Sequence, residues 1–287
     1  MLVWLNGRLV AARDARVSAL DRGLLHGDGV YDTWRTYGGR PFAIAAHLRR
    51  VAAGARALGL SAPAPAARWE RRTRLLVARN GLRDAAVRLT ITRGAAGDAL
   101  LPGRRAAPTV LLTVRRLPAD LAQRRRDGIA AVLLDYPRDA APPWAGLKLV
   151  GHASAVAGRL DAARRHADEA LYVTRDGDIT EATTANLFLV ERGGLVTPPA
   201  DGTILPGVTR SLVLALARGA GIAVREERVS RGRLRRAREA FLTASTIEIV
   251  PLVRLDGRPI GDGRPGGATR RLQLAYAALV RRALARG

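Results

Sequence analysis

Residues 179–188 have the sequence Ile-Thr-Glu-Ala-Thr-Thr-Ala-Asn-Leu-Phe, in which two apolar ends flank a polar segment with one carboxylate, Glu181. The apolar ends predict short strands at 179–180 and 186–190, joined by a turn. An isolated Glu before a turn is ordinarily a solvated charge or the partner of a helix cap. The alternative is a carboxylate held at the turn for chemistry, and the segments on either side bear on this choice.

The chain has one lysine, Lys148, so 47 of its 48 basic residues (48 − 1) are arginine. Arginine stays protonated near neutral pH, whereas a desolvated lysine can lose its proton and form a Schiff base with a carbonyl. This contrast favours a covalent catalytic amine at Lys148. A general drift from lysine to arginine would leave the same count, so the count alone keeps both explanations open.

Composition narrows the class of protein. A length of 287 residues suits one large or two ordinary domains, and 48% hydrophobic residues indicate a globular fold. Without cysteine there is no disulfide, thiolate metal site or cysteine nucleophile, and the four histidines lack the spacing of a zinc site, so we expect no metal. The sequence has neither a signal core at its start nor an apolar run of the ~20 residues that cross a bilayer. We therefore expect a cytoplasmic protein with no membrane segment.

The net charge of +23 raises nucleic-acid binding as a rival function, because basic surfaces attract phosphates. The arginines are spread along the whole chain, however, and aromatic residues make up only 4%, which is little for base stacking. No zinc-finger, ribonucleoprotein or basic-zipper motif is present. We expect no specific nucleic-acid partner, and a noncatalytic arginine-rich binding protein remains a third possibility.

Hydrophobic periodicity predicts a mixed α+β protein in two domains. Residues 1–115 should form a small N-terminal domain, with hairpins at Asn6-Gly7 and Gly38-Gly39. Residues 116–126 are predicted to be a connector, and residues 127–287 a larger, β-rich C-terminal domain. The other predicted elements are helices at 44–58, 67–79, 152–165, 209–220 and 268–284, and strands at 86–93, 109–114, 129–134 and 169–173.

Four separated segments suggest a family. They are His26-Gly-Asp-Gly-Val-Tyr-Asp32, His47-Leu-Arg-Arg50, Gly146-Leu-Lys148, and Ile179–Phe188 followed by Leu205-Pro-Gly-Val-Thr-Arg210. In this order and spacing the chain, from Trp4 to about Gly257, resembles the class IV aminotransferases, which are fold type IV pyridoxal-phosphate enzymes. The resemblance implies a small N-terminal α/β sandwich, a larger β-rich domain and a homodimer. It also implies pyridoxal 5′-phosphate as cofactor, with amino acids or amines and 2-oxo acids as substrates.

The resemblance also assigns roles to residues. Lys148 would carry the cofactor as a Schiff base, Glu181 would lie beside its pyridine nitrogen, and Tyr31 would be the third catalytic residue, although a buried strand aromatic is the plain alternative for Tyr31. The phosphate would be held by a further set, in which most family members have Thr at the position of the serine: Arg50, Gly207, Val208, Thr209 and Ser245.

The member of the family is ambiguous. Arg88 matches a carboxylate-side arginine of branched-chain aminotransferases, but the tyrosine expected two residues earlier is Ala86. The Arg-x-His pair of the D-amino acid enzyme is absent from Arg93–Leu100. Thr33 favours aminodeoxychorismate lyase, which releases pyruvate and 4-aminobenzoate, as does the segment Ala167-Asp-Glu-Ala-Leu. Arg35 is the second candidate for the substrate carboxylate, and either arginine could instead be a surface residue. We expect an aminotransferase with an altered carboxylate pocket, and the lyase is the alternative.

Overall fold

The chain divides into two units, Met1–Leu117 with Leu147–His152, and Pro118–Gly146 with Ala153–Gly287. The computed structural model describes residues 1–97, 99–103, 107–137, 144 and 146–285. The division differs from the expected domains in two respects, because a short segment around Lys148 groups with the N-terminal unit and residues 118–126 of the expected connector group with the second unit. The expected domain bounds, 1–115 and 127–287 with a connector between them, remain predictions. Asp98, most of the loop 137–144 and Arg286 lie outside the described residues.

The first unit is built on one antiparallel sheet. Its strands are β1 (Leu2–Leu5), β2 (Arg8–Ala11), β3 (Gly29–Tyr37), β4 (Arg40–Pro41), β5 (Ala85–Thr92) and β6 (Thr109–Arg116), in the order β2-β1-β6-β5-β3-β4. The hairpin predicted at Asn6-Gly7 forms, with φ of 46° and 92° at the two turn residues, which is the left-handed conformation that a tight two-residue turn requires.

Helices cover one face of this sheet. The helices of this unit are α1 (Arg22–His26), α2 (Ile44–Ala57) and α3 (Ala66–Arg79), of which α2 and α3 supply residues to the core against the sheet, and a short 3-10 helix spans Ala12–Asp14. The core between sheet and helices includes Trp34, Leu76 and Leu89, each fully buried. At Gly54 a Cβ would lie 3.0 Å from Val30 Cγ1, so α2 packs closely against β3.

The segment Leu147–His152 joins the first unit by backbone pairing. Tyr31 N donates to Lys148 O at 3.0 Å and Val150 N donates to Gly29 O at 3.0 Å, so the segment runs antiparallel to the start of β3. The approach depends on glycine at position 29, because a Cβ there would lie 2.7 Å from Ile91 O and 3.0 Å from Val150 Cγ2. Non-local pairing of this kind leaves no local sequence pattern, and for this reason the expected domain boundary placed Lys148 in the other unit.

The second unit contains a larger mixed sheet. Its strands are β7 (Ile129–Pro137), β8 (Glu169–Val173), β9 (Asp178–Ala182), β10 (Asn186–Glu191), β11 (Gly194–Thr197), β12 (Val224–Glu226), β13 (Val229–Ser230), β14 (Glu239–Ala244), β15 (Glu248–Leu255) and β16 (Arg258–Pro259). The main path is β12-β11-β10-β14-β15-β7-β8-β9-β13. Since β9 also pairs with β10 through Glu181 and Asn186, the six strands from β10 to β9 close into a ring around an apolar core.

Five helices belong to this unit: α4 (Leu121–Asp127), α5 (Ala153–Arg164), α6 (Val208–Gly219), α7 (Arg231–Arg236) and α8 (Gly267–Ala285). The predicted connector 116–126 is therefore mostly the short helix α4. The prediction of a mixed fold with a small α/β N-terminal part and a larger β-rich part is confirmed. No helix in the described part of the chain is long and apolar enough to span a membrane.

Candidate active site

Strand β3 presents different side chains to the two faces of the small sheet. Its alternate residues Val30, Asp32 and Trp34 are buried, and Trp34 packs in the helix-covered core. Tyr31, Thr33 and Arg35 therefore share the other face. In the antiparallel register Thr33 lies opposite Arg88, so Arg88 joins them, because directly paired residues project from the same face.

The Tyr31 ring is the centre of this face. The Arg88 guanidinium carbon lies 3.9 Å from the ring centroid and Lys148 Nζ lies 4.6 Å from it. The His152 ring meets Tyr31 edge-on, with centroids 4.6 Å apart. Two cations near one ring are attracted by its negative π face. The fold thus brings together four groups from three separated segments of the chain.

The electrostatics of this cluster keep His152 uncharged near neutral pH. Burial, together with the nearby Arg88 and Lys148 charges, lowers the pKa of His152 to about 4. Burial also lowers the pKa of Arg88, against the opposing effect of Tyr31, yet a guanidinium remains protonated at neutral pH. Arg88 additionally donates from Nε to Thr90 Oγ1 at 3.1 Å, which fixes its position on the sheet.

Arg35 lies farther along the same face. Its guanidinium carbon is 4.4 Å from the centroid of the Tyr37 ring, and four residues of strand separate it from Tyr31, a distance of about 13 Å. Arg88 is therefore the arginine that accompanies Tyr31 and Lys148, and Arg35 belongs to the neighbouring part of the face.

Arg50 projects from helix α2 toward Asp32, on the opposite face of β3 from Tyr31. Arg50 Nε and Nη2 donate to the two Asp32 carboxylate oxygens at 2.9 and 2.8 Å, and His47 Nδ1 lies 3.0 Å from Asp32 Oδ1. Asp32 is fully buried. Burial alone would raise its pKa, but His47 and Arg50 outweigh that effect and hold the pKa of Asp32 well below its usual range. The carboxylate therefore fixes the orientation of the Arg50 fork.

In the second unit Glu181 is a buried carboxylate at the closure of the strand ring. Its Oε2 accepts hydrogen bonds from Asn186 Nδ2 and from Leu205 N, both at 3.1 Å. Asn186 also donates to Leu205 O at 2.8 Å. Because Glu181 pairs with Asn186 and Asn186 with Thr243, these three side chains form one row across β9, β10 and β14.

The start of helix α6 has the features of an anion site. Its N-cap, Gly207, provides no side-chain cap, and a Cβ at that position would overlap Asn186 Oδ1. The Thr209 hydroxyl is buried and has no hydrogen-bond partner among the described residues, and the same holds for Thr243. Backbone N–H groups at the start of a helix attract phosphates, so Gly207, Val208 and Thr209 can hold one. Ser245 lies in the turn after β14.

The structure thus gathers Tyr31, Thr33, Arg88 and Lys148 on one face in the first unit, and places Glu181 and the start of α6 in the second. Sequence reasoning missed the roles of four residues at these places: Asp32, His152, Asn186 and Thr243. Asp32 had a usable signal, because strand alternation puts it on the face of Val30 and Trp34, where an unpaired charge is costly. Among the described residues no cluster of His, Asp and Glu could hold a metal ion.

Comparison with known proteins agrees with this arrangement. Residues 29–255 match the family described as amino-transferase class IV. A candidate branched-chain-amino-acid aminotransferase of Methanocaldococcus jannaschii is 34% identical over 95% of this chain and 94% of its own length. The D-alanine aminotransferase of Bacillus licheniformis is 32% identical over 96% of this chain and 95% of its own.

Solved structures give the same result. The branched-chain amino acid aminotransferase of Escherichia coli superposes with a TM-score of 0.91 at 30% identity, and the match covers 97% of this chain and 94% of that one. Other structures of this fold hold pyridoxal 5′-phosphate or pyridoxamine 5′-phosphate. The lyase alternative finds no support in these comparisons.

Proposed function

Because this chain belongs to the class IV aminotransferases, which are pyridoxal-phosphate enzymes, we propose that it transfers the amino group of an apolar L-amino acid to a 2-oxo acid. The observation that carries the proposal is the position of Arg88, whose guanidinium carbon lies 3.9 Å from the Tyr31 ring, with Lys148 Nζ 4.6 Å from the same ring. A carboxylate bound by Arg88 would then be close to the one lysine of the chain.

The residues present fit the cofactor. A phosphate at the start of α6 would satisfy the buried Thr209 hydroxyl, which no described residue pairs, together with the backbone N–H groups at this helix end. Ser245 and the Arg50 guanidinium are the further phosphate ligands that we propose. Glu181, buried and fixed by two hydrogen bonds, would lie beside the pyridine nitrogen.

Each side chain has a distinct task in amino transfer. When bound, pyridoxal phosphate supplies an electron sink for negative charge at the substrate Cα. Lys148 Nζ would bind the cofactor covalently and, once released by the substrate amine, would take the proton from the substrate Cα and deliver it to the cofactor's C4′ carbon. Glu181 would keep a negative charge beside the pyridine nitrogen and so favour its protonated form. Tyr31 would hold the Lys148 amine near the reacting atoms.

Arg88 is the proposed substrate clamp. A guanidinium can bind a carboxylate through two parallel hydrogen bonds, and Thr33, directly opposite Arg88 in the register, offers a hydroxyl beside it. Arg35 is the second candidate. The branched-chain type is favoured over the D-alanine type, because Arg88 matches the former and the Arg-x-His pair of the latter is absent.

A kinetic comparison tests the clamp. Arg88→Ala should raise KM for amino and oxo acids, with a loss of about 2–4 kcal/mol in kcat/KM, and should affect a primary amine that lacks a carboxylate far less. Arg35→Ala is the matched control, for which we expect the smaller loss. Equal losses with both donors would show that Arg88 supports the fold or the cofactor instead. A donor panel of L-leucine, L-valine and D-alanine tests the substrate class, and activity confined to D-alanine would refute it.

We also propose a homodimer. Four exposed leucines form two pairs along the sequence. The exposed fractions are 61% for Leu20 and 72% for Leu24 in the first pair, and 85% each for Leu100 and Leu101 in the second. The buried Arg22 links the two pairs, since its guanidinium donates to the Gly97 and Leu100 carbonyls. Apolar surface of this kind suits an interface with a second copy. Light scattering at the mass of a fully active monomer would refute the dimer. A cytoplasmic location is likewise a proposal, which cell fractionation tests.

A further inference from the structure

The hairpin between β14 and β15 contains an unusual backbone conformation. Ile247 N donates to Ala244 O at 3.2 Å, which closes a turn over Ser245–Ile247. The next residue, Glu248, has φ of 62°, in the left-handed region. Hairpin turns of this length usually place glycine in that conformation, since a Cβ makes it unfavourable. Something else in the fold must therefore hold Glu248 in place.

An ion pair from another element provides that hold. Arg125 Nη2, on helix α4, lies 2.7 Å from Glu248 Oε2, and the glutamate is only 4% exposed. Helix α8 connects the same two elements, α4 and β15, because Gln273 Nε2 donates to Arg125 O at 2.9 Å and to Ile249 O at 3.0 Å. Three elements thus converge immediately behind the Ser245 turn.

We propose that the Arg125–Glu248 ion pair sets the conformation of the Ser245–Ile247 turn, and through it the strength with which the turn binds the cofactor phosphate. The inference rests on the phosphate role proposed for Ser245. Arg125 and Glu248 act as positioning residues. Because the arginine is neutralised by its partner, its contribution to the phosphate is geometric and does not depend on an unpaired positive charge.

The test compares two aldehydes that differ only in the phosphate. Apoprotein is titrated with pyridoxal 5′-phosphate and with pyridoxal. The dissociation constant for pyridoxal divided by that for pyridoxal 5′-phosphate isolates the phosphate contribution. Glu248→Gln and Arg125→Gln should each reduce this ratio about tenfold, while the affinity for pyridoxal changes less than about twofold. Because both break the same pair, the double variant should lose no more than the worse single variant.

Two further variants complete the design. Glu248→Gly removes the ion pair but accepts a positive φ without strain, so its loss should be smaller than that of Glu248→Gln. Arg126→Gln removes an exposed ion pair with Asp127 on the same helix and should leave the ratio unchanged. Thermal melting identifies any variant that does not fold, in which case the remaining member of the pair provides the answer.

The outcomes distinguish a failure of the phosphate role of Ser245 from a failure of the positioning role of Arg125 and Glu248. If Ser245→Ala leaves the ratio unchanged, the proposed phosphate role of Ser245 fails. If Ser245→Ala lowers the ratio while folded Glu248 and Arg125 variants keep it, the positioning inference alone fails. Equal weakening of both aldehydes by the Glu248 and Arg125 variants would also overturn it, because a purely structural role would affect both ligands alike.

Discussion

Asp32→Asn is expected to destabilise the first unit strongly, because Asp32 is a fully buried carboxylate that is hydrogen-bonded to Arg50 and His47. Two charge-assisted hydrogen bonds from Arg50 and one from His47 converge on it, each worth about 1.5–3 kcal/mol. Asparagine keeps one acceptor oxygen but leaves the guanidinium without a counter-charge. Breaking one partner of a buried pair costs about 3–5 kcal/mol, so we expect a loss near the lower end, about 3 kcal/mol.

The assay follows tryptophan fluorescence during thermal unfolding, and urea unfolding of the same proteins gives the free-energy difference. Trp34 and Trp69, both buried in the first unit, report on this part of the chain, and the expected loss corresponds to a fall in Tm of about 6–12 °C. Glu70→Gln is the matched control in the same unit, since its ion pair with Arg74 is exposed and should contribute less than about 0.5 kcal/mol. A loss below about 1 kcal/mol for Asp32→Asn would refute the reasoning.

The difference in unfolding free energy between wild type and Asp32→Asn should depend on pH. The pKa of Asp32 is depressed in the folded state, so its stabilisation is present above the unfolded value of about 3.9 and is lost as the pH falls through the folded value. The stability difference between wild type and Asp32→Asn should therefore be constant from neutral pH to about 5 and shrink below about 4. A difference that grows on acidification would contradict the assignment.

Three further changes test the site. Lys148→Arg should keep the charge but abolish covalent labelling, whereas borohydride should fix the cofactor of the wild-type protein to the peptide that contains Lys148; labelling of another peptide would show the assignment to be wrong. Glu181→Gln should leave the cofactor bound but lower kcat by about 10²-fold or more, and an unchanged kcat would remove Glu181 from the site. Thr209→Val should weaken pyridoxal 5′-phosphate more than pyridoxal, and an equal effect on both would contradict a phosphate role for this hydroxyl.

Sequence patterns predicted the elements well where they depend on neighbours along the chain. The helix predicted at 44–58 forms as Ile44–Ala57, and the strand predicted at 169–173 forms as Glu169–Val173, because period and turn residues are local signals. The closure of the ring through Glu181 and Asn186 has no such signal. Nor does the pairing of Val30 with Leu149, which carries Lys148 into the first unit.

The residues of the candidate site likewise differ in whether a local sequence signal identifies them. Lys148 and Glu181 were identified from motifs whose residue types fit the chemistry, and their roles remain predictions until the variants are measured. Asp32 was overlooked, because its partners lie 15 and 18 residues away, on a helix that had to be packed before the contact could be seen. His152 follows Lys148 by four residues, but only the fold places its ring against Tyr31.

The near absence of lysine now has a physical explanation at three positions. Arg50 is paired with Asp32 and Arg125 with Glu248, and each pair needs a cation that stays charged inside the protein, which arginine provides. Arg88 also lies partly buried beside two other titratable groups, where a lysine would lose its proton more readily. In the function proposed for this chain, Lys148 is the position at which proton loss is useful, because an amine must be neutral before it can attack a carbonyl. The same readiness to lose a proton that makes lysine unfavourable at the three supporting positions would make it necessary at the fourth, if Lys148 has the proposed role.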